Sequence, residues 1–378
     1  MNAQMKTPRS HHADYWLVGI AMVLLILGIL ILASVSSVFA QKKAGKTTYF
    51  LFHQIIFGVI PGIVIGLIAS KASLNFLKKW SWLIILINLF FMILVFVPKI
   101  GIVAGGASRW VDLGPISFQP SEFLKLSFVL YLSAWLASRT GGILVKKNGK
   151  DWKFTLLPFL SIVGVIALLL YFQSDLTTLA IIIFAAFLMY FSAKTPFWHS
   201  ILTFFVIVSG IAGLIIFQQY RFQRLLVFLN IAKDPLGLGY QINQALIAVG
   251  SGGIFGLGPG MSNQKFGFIP QAMTDSIFAI FSEEMGFIGS FILIGLFLFL
   301  LWRGFRISKN SQDKFSQIFA IGIVSWISLQ AFINIGANIQ VLPLAGIPLP
   351  FVSYGGSHII TELIGIGLLL NISKNRWK

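Results

Sequence analysis

The chain has 378 residues, 57% of them hydrophobic and only 10% charged, against roughly 25% charged in a soluble protein, which excludes an ordinary soluble fold. Its net charge of +17 would suggest nucleic acid on a soluble protein. Here Lys and Arg fall between apolar runs, where they set topology and meet anionic membrane lipids, so nucleic acid is not an expected partner. The absence of cysteine excludes disulfides and thiolate metal sites.

Residues 1–14 are polar and read as a cytoplasmic N-terminal segment. The apolar run that follows is too long for a signal-peptide core and lacks a small-residue cleavage site, so it reads as a retained helix. Runs of about 20 apolar residues cross roughly 30 Å of hydrocarbon. They predict helices over 15–37, 49–69, 80–98, 121–138, 154–172, 177–193 and 198–219. The tight turn QSDLTT joins the fifth and sixth. Residues 220–275 form the one long connection. It holds a further apolar run, INQALIAVGSGGIFGLG, which Gly, Ser, Asn and Gln interrupt, so it reads as re-entrant or interfacial. Helices over 276–302, 317–339 and 353–372 and a cytoplasmic tail, 373–378, complete the chain. The expected fold is an all-α, polytopic integral membrane protein. A single ten-helix transmembrane domain, 15–372, carries a large extracytoplasmic loop, 220–275, between helices 7 and 8.

Lys and Arg orient it. With the N-terminus inside, 18 basic residues fall on the cytoplasmic side and 9 outside, with Lys125 in a helix. This predicts a multi-pass membrane protein with both termini cytoplasmic. Lys42, Lys43 and Lys46 run against the bias.

Eleven carboxylates can be placed individually. Asp112, Asp175, Asp234 and Asp275 fall in outer loops, and Glu122 at the outer end of helix 4. Glu283, Glu284 and Glu362 fall within helices 8 and 10. Ionisable groups inside a span cost roughly 2.5–3.5 kcal/mol each on insertion scales and are functional candidates by default. Glu122 and Lys125, three apart on one helix face, are able to pair. Glu283 and Glu284 point about 100° apart, so the expectation is that at least one bonds a neighbouring helix. Glu362, near Ser357 and His358, has the same default. The outer loop offers Arg221, Arg224, Lys233 and Lys265 as cations, with glycines that permit close backbone approach. Asp275, at the start of a long helix, has helix capping as its ordinary role. No GxxxxGK[ST] loop is present, so any chemistry draws on energy held in the substrate or a gradient.

Three blocks resemble the signatures of the SEDS family (FtsW, RodA, SpoVE): GASRWVDLGPISFQPSEFLKL (106–126), the stretch from DPLGLGYQINQ to SEEMGFIG (234–289), and NIGANIQVLPLAGIPLPFVSYGGS (334–357). SNQKFGFIP is closer to FtsW. The resemblance implies ten transmembrane helices and a glycosyltransferase. Such an enzyme polymerises lipid II, the undecaprenyl-diphosphate-linked disaccharide-peptide, into a growing glycan strand for septal cell-wall synthesis. It works beside a class B penicillin-binding protein. The family's catalytic aspartate, in HTDFIFA, lands on Asp275 in MTDSIFA. Its Pro-Ser-Glu-x-x-Lys stretch lands on Pro120, Ser121, Glu122 and Lys125. Its QPDLGT turn lands on Gln173, Asp175 and Thr177 or Thr178. Departures stand at Gln271, Met273 and Ser276, and in QSDLTT.

A one-step inverting transfer needs one positioned base, expected here to be Asp275. The departing diphosphate needs cations. The substrate-binding candidates are Arg109, Glu122, Lys125, Asp175, Arg221, Arg224, Gln241 and Lys265. No protein metal cage is visible and no organic cofactor is expected. Mg²⁺ or another divalent cation carried on the diphosphate fits the chemistry. Two other readings stay open: a lipid II flippase, and a non-catalytic scaffold that recruits a penicillin-binding protein.

Overall fold

The computed structural model describes residues 13–104, 107–112, 114, 117–140, 152–193, 195–216, 219–229 and 237–374, apart from a few side chains, Arg221 among them. The N-terminal segment before residue 13, the tail beyond 374, and Lys233 and Asp234 lie outside the described residues.

Each of the ten predicted helices is present. Asp14 opens α1 (Tyr15–Ala44) by accepting the Leu17 N–H at 3.3 Å, and Gly45 closes it in a left-handed conformation (φ 66°). The helix runs well past residue 37. Lys42 therefore rides its last turn, where the carbonyl end of the helix favours a cation, which accounts for a lysine against the charge bias. Helix α2 (Tyr49–Ala69) contains a π-turn at Ile55–Val59. Helix α3 (Leu74–Leu94) starts six residues before the predicted 80, because Ser73 caps it through the Phe76 N–H at 3.4 Å.

A small antiparallel sheet, absent from the all-α expectation, follows α3. Its strands β1 (Gly101–Ala104), β2 (Ala107–Asp112) and β3 (Ser117–Phe118) pair in chain order, Gly101 opposite Val111 and Val111 opposite Phe118. Then come α4 (Pro120–Thr140), α5 (Leu156–Phe172), α6 (Leu176–Ser192) and α7 (Phe197–Ile216). The long connection is partly helical, with α8 (Gln219–Phe228) and α9 (Leu238–Ser251). Helices α10 (Ile277–Lys309), α11 (Lys314–Asn338) and α12 (Gly356–Lys374) end the chain. Among the described residues six helices, α1, α2, α3, α10, α11 and α12, are long and apolar enough to cross a membrane, and α5, α6 and α7 are shorter apolar helices. Helix α4 is long enough but carries Glu122, Lys125 and Arg139.

Helix α11 is the central post, packed by α4, α6 and α10. Helix α12 lies against α2 through small residues: a Cβ on Gly66 would meet the Leu363 carbonyl at 2.7 Å, and one on Gly367 would collide with Gly66. Close backbone approach of this kind drives association where lipid removes the hydrophobic incentive.

Helix α10 breaks at Gly286 (φ 67°, ψ −166°). The chain after α9 fills the break. Leu257 and Gly258 donate to the Glu283 and Glu284 carbonyls at 2.9 and 3.0 Å, and Phe287 and Ile288 donate to the Gly253 and Ile254 carbonyls at 2.9 and 3.2 Å. Backbone groups freed from the helix are thereby satisfied within protein, as burial in a membrane requires.

Candidate active site

Asp275 stands at the end of the long connection, just before α10. Its backbone is held from three directions. Asn334 and Asn338, one turn apart on α11, each donate Nδ2 to the Asp275 carbonyl at 2.9 Å. The Ser353 hydroxyl donates to the Thr274 carbonyl at 2.6 Å. The Tyr354 N–H donates to the Met273 carbonyl at 2.8 Å. Next in the chain, Ser276 donates to the Pro270 carbonyl at 3.1 Å and accepts the Gln241 amide of α9 at 3.2 Å. Gln241 thus braces the chain behind Asp275. Ser276 is the cap position of α10 and makes no side-chain cap bond.

That carboxylate lines a cavity of about 360 Å³ together with Arg109, Glu122, Asp175 and His358. Five elements supply these groups, which is why no single stretch of sequence displays them. Arg109, on β2, donates Nε to the Gln173 carbonyl at 3.2 Å and an Nη2–H to the Ser174 carbonyl. The turn between α5 and α6 thereby holds the guanidinium at the cavity wall. Asp175 caps α6 through the Thr178 N–H at 3.2 Å and accepts the Ser121 hydroxyl at 3.2 Å. Glu122 and Lys125 pair at 2.7 Å, and Lys125, 2% exposed, also donates to Gln330 Oε1 at 2.6 Å. Lys125 is buried behind the wall and meets the cavity through Glu122.

Arg224 of α8 donates to the Leu344 carbonyl at 3.1 Å. A Cβ on Gly346 would lie 3.7 Å from Asp275 Oδ2 and 4.0 Å from Arg224 Nη1, so the two side chains flank that glycine. Burial pushes the Asp275 carboxyl up to about 6, against the pull of the Thr274 hydrogen bond, Arg224 and Arg109. A carboxylate so placed is able to exchange a proton near neutrality, with fixed positive charge beside it.

Lys265 lies apart from this cavity. It pairs with Glu284 at 3.3 Å and donates to the Ser34 hydroxyl of α1 at 3.2 Å. Glu283 accepts the Ser262 hydroxyl and the Asn263 N–H, the latter at 3.1 Å. Both glutamates are therefore tied to neighbouring segments at the α10 break. The Arg221 side chain is outside the described residues. Among the described residues, no three His, Asp or Glu side chains converge to hold a metal.

Sequence reasoning assigned no role to Asn334, Asn338, Ser353, Tyr354 or His358, although all lie in or next to a quoted block. Their signal was weak, because polar residues near helix ends have many ordinary uses. Only the fold shows which backbone they grip.

Comparisons with known proteins come to the same architecture. The model of the FtsW, RodA and SpoVE group, described as cell cycle protein, matches residues 15–378. Stage V sporulation protein E of Bacillus subtilis (strain 168) is 38% identical over 368 residues, covering 97% of this chain and 99% of that protein. A probable peptidoglycan glycosyltransferase FtsW of Geobacter sp. (strain M18) is 36% identical over 360 residues, covering 95% and 96%. Among solved structures, a chain of a peptidoglycan synthase complex that coordinates polymerization and crosslinking superposes with a TM-score of 0.77 at 27% identity, covering 97% of this chain and 99% of its own. The rod shape determining protein RodA of Thermus thermophilus gives 0.68 at 26%, covering 97% and 98%.

Proposed function

Because the chain belongs to the cell cycle protein family of FtsW, RodA and SpoVE, we propose that it is a peptidoglycan glycosyltransferase that extends glycan strands from lipid II at the extracytoplasmic face, with Asp275 as general base. The observation that carries this reading is the cavity itself: a carboxyl raised to about 6 by burial, flanked by two arginines on separate elements. The Asp275 carboxylate takes the proton from the 4-hydroxyl of the acceptor sugar. That oxygen forms a bond to the anomeric carbon of the donor, and the anomeric carbon–phosphate oxygen bond breaks with its electron pair on the departing lipid diphosphate. Arg109 and Arg224, which flank Asp275, are the cations assigned to that charge in this proposal, since donors fixed in advance stabilise it without reorganisation. A divalent cation, where used, would ride on the diphosphate and water. Septal synthesis, and a class B penicillin-binding protein that crosslinks the product, complete the proposed setting. The partner reading is supported by the solved synthase complex that joins polymerization to crosslinking.

Purified protein in detergent, supplied with lipid II alone and then with a class B penicillin-binding protein, tests the reading. Glycan strands on a gel are the expected product, because polymerisation needs no bilayer. Intact lipid II under both conditions contradicts it and favours a flippase or scaffold.

A further inference from the structure

His358 and Glu362 of α12 take no part in the chemistry above, yet two ionisable side chains inside a span are costly and call for a use. Glu362 is fully buried and His358 is 4% exposed. His358 Nδ1 lies 3.3 Å from Glu362 Oε1. The second oxygen, Oε2, accepts the Phe351 N–H at 2.8 Å. Phe351 has a φ of +63°, a left-handed conformation that a β-carbon disfavours. Such a residue persists only where its surroundings over-determine it. Glu362 fixes it from one side. From the other, a Cβ on Gly28 of α1 would collide with the Phe351 carbonyl and lie 2.8 Å from Val352 Cα.

The turn held in this way is the one that grips the site. Ser353 Oγ accepts the Leu349 N–H at 2.7 Å and donates to the Thr274 carbonyl at 2.6 Å, and the Tyr354 N–H reaches the Met273 carbonyl at 2.8 Å. Glu362 is therefore linked to the backbone just before Asp275 by an unbroken run of short contacts.

We propose that Glu362, steadied by His358, is a positioning residue for Asp275, acting through the left-handed turn at Phe351 and the Ser353 hydroxyl. The proposal rests on Asp275 being the base. It implies that a slack turn lets the 273–275 segment shift and water reach the carboxylate. The charged groups facing Asp275 are Arg224 from α8 and Arg109 from β2, with Asp175 of α6, Glu122 of α4, and His358 and Tyr354 on the cavity wall. Of these, only His358 loses a partner when Glu362 is removed, so a variant that spares the pair is needed beside one that breaks it.

The test is strand synthesis across pH by the full-length chain in detergent, for wild type, Glu362→Leu, Glu362→Gln and Ser353→Ala, with Asp275→Asn alongside. Glu362→Leu is expected to lower kcat about tenfold or more with KM within about twofold, the signature of a misplaced group and not of lost binding. Its acid limb in kcat/KM moves down from about 6 toward the ordinary carboxylate range. Glu362→Gln, whose amide oxygen still accepts the Phe351 N–H, recovers most of the rate. Ser353→Ala, with the His358–Glu362 pair intact, repeats the downward shift. An unmoved limb and full kcat in Ser353→Ala overturn the proposal, whether or not Glu362→Leu folds. A loss in Glu362→Leu that Glu362→Gln does not repair, with the limb unmoved, also overturns it. Polymerisation by Asp275→Asn overturns the base assignment itself, so the two failures are told apart.

Discussion

Asp275 sits where burial opposes its charge and two arginines favour it, and the balance leaves its carboxyl at about 6. A base must be deprotonated to accept a proton. Activity is therefore expected to be full above that value and to fall about tenfold per pH unit below it, as a single acid limb in the pH dependence of kcat/KM, which reports the free enzyme. A flat profile between pH 5 and 8 contradicts the role. This residue was found by resemblance and not by its neighbours in sequence, since an acidic residue ahead of a helix reads first as a cap. The pairing of Glu122 with Lys125 was legible from their spacing, because i and i+3 share a helix face. The partners of Asp275 were not. Arg109 comes from a strand and Arg224 from a short helix in the long connection, and only tertiary structure brings them beside Asp275.

The α10 helix is two pieces joined at Gly286, and the chain from Gly253 to Gly258 supplies the hydrogen bonds that the break removes. Lys265 belongs to this element, pinned between Glu284 and Ser34 of α1. Lys265→Met is therefore expected to act on stability, by about 3 kcal/mol for a buried carboxylate left without its cation, seen as a lower melting temperature. The KM for lipid II is expected to stay near that of wild type. A raised KM with unchanged melting would move Lys265 back among the substrate cations. Hydropathy located the apolar runs because a membrane span is a property of about 20 consecutive residues. It could not show the break at Gly286, nor the helices α8 and α9, because these depend on contacts between segments. Helix ends shifted where a specific cap decided them, as Ser73 does for α3.

At the scale of the molecule, the proposed activity requires a cavity open to the outer face, and the bias of basic residues toward one side is the ground for proposing cytoplasmic termini. The absence of native cysteine makes this directly testable by single replacements. Thr47→Cys is expected to react with an impermeant maleimide in intact cells, and Gln312→Cys only after permeabilisation; the reverse pattern contradicts the orientation. Ten helices were legible because lipid imposes one rule on every span. The sheet between α3 and α4 was not, because a short Gly-rich connection is compatible with many conformations. The proposed chemistry converges on one carboxylate at one cavity. Asp275→Asn, purified as a folded protein and given lipid II beside wild type, tests it most directly. Strand synthesis is expected to fall by a factor of at least about 10² with substrate binding retained. Strands made at the wild-type rate would contradict it.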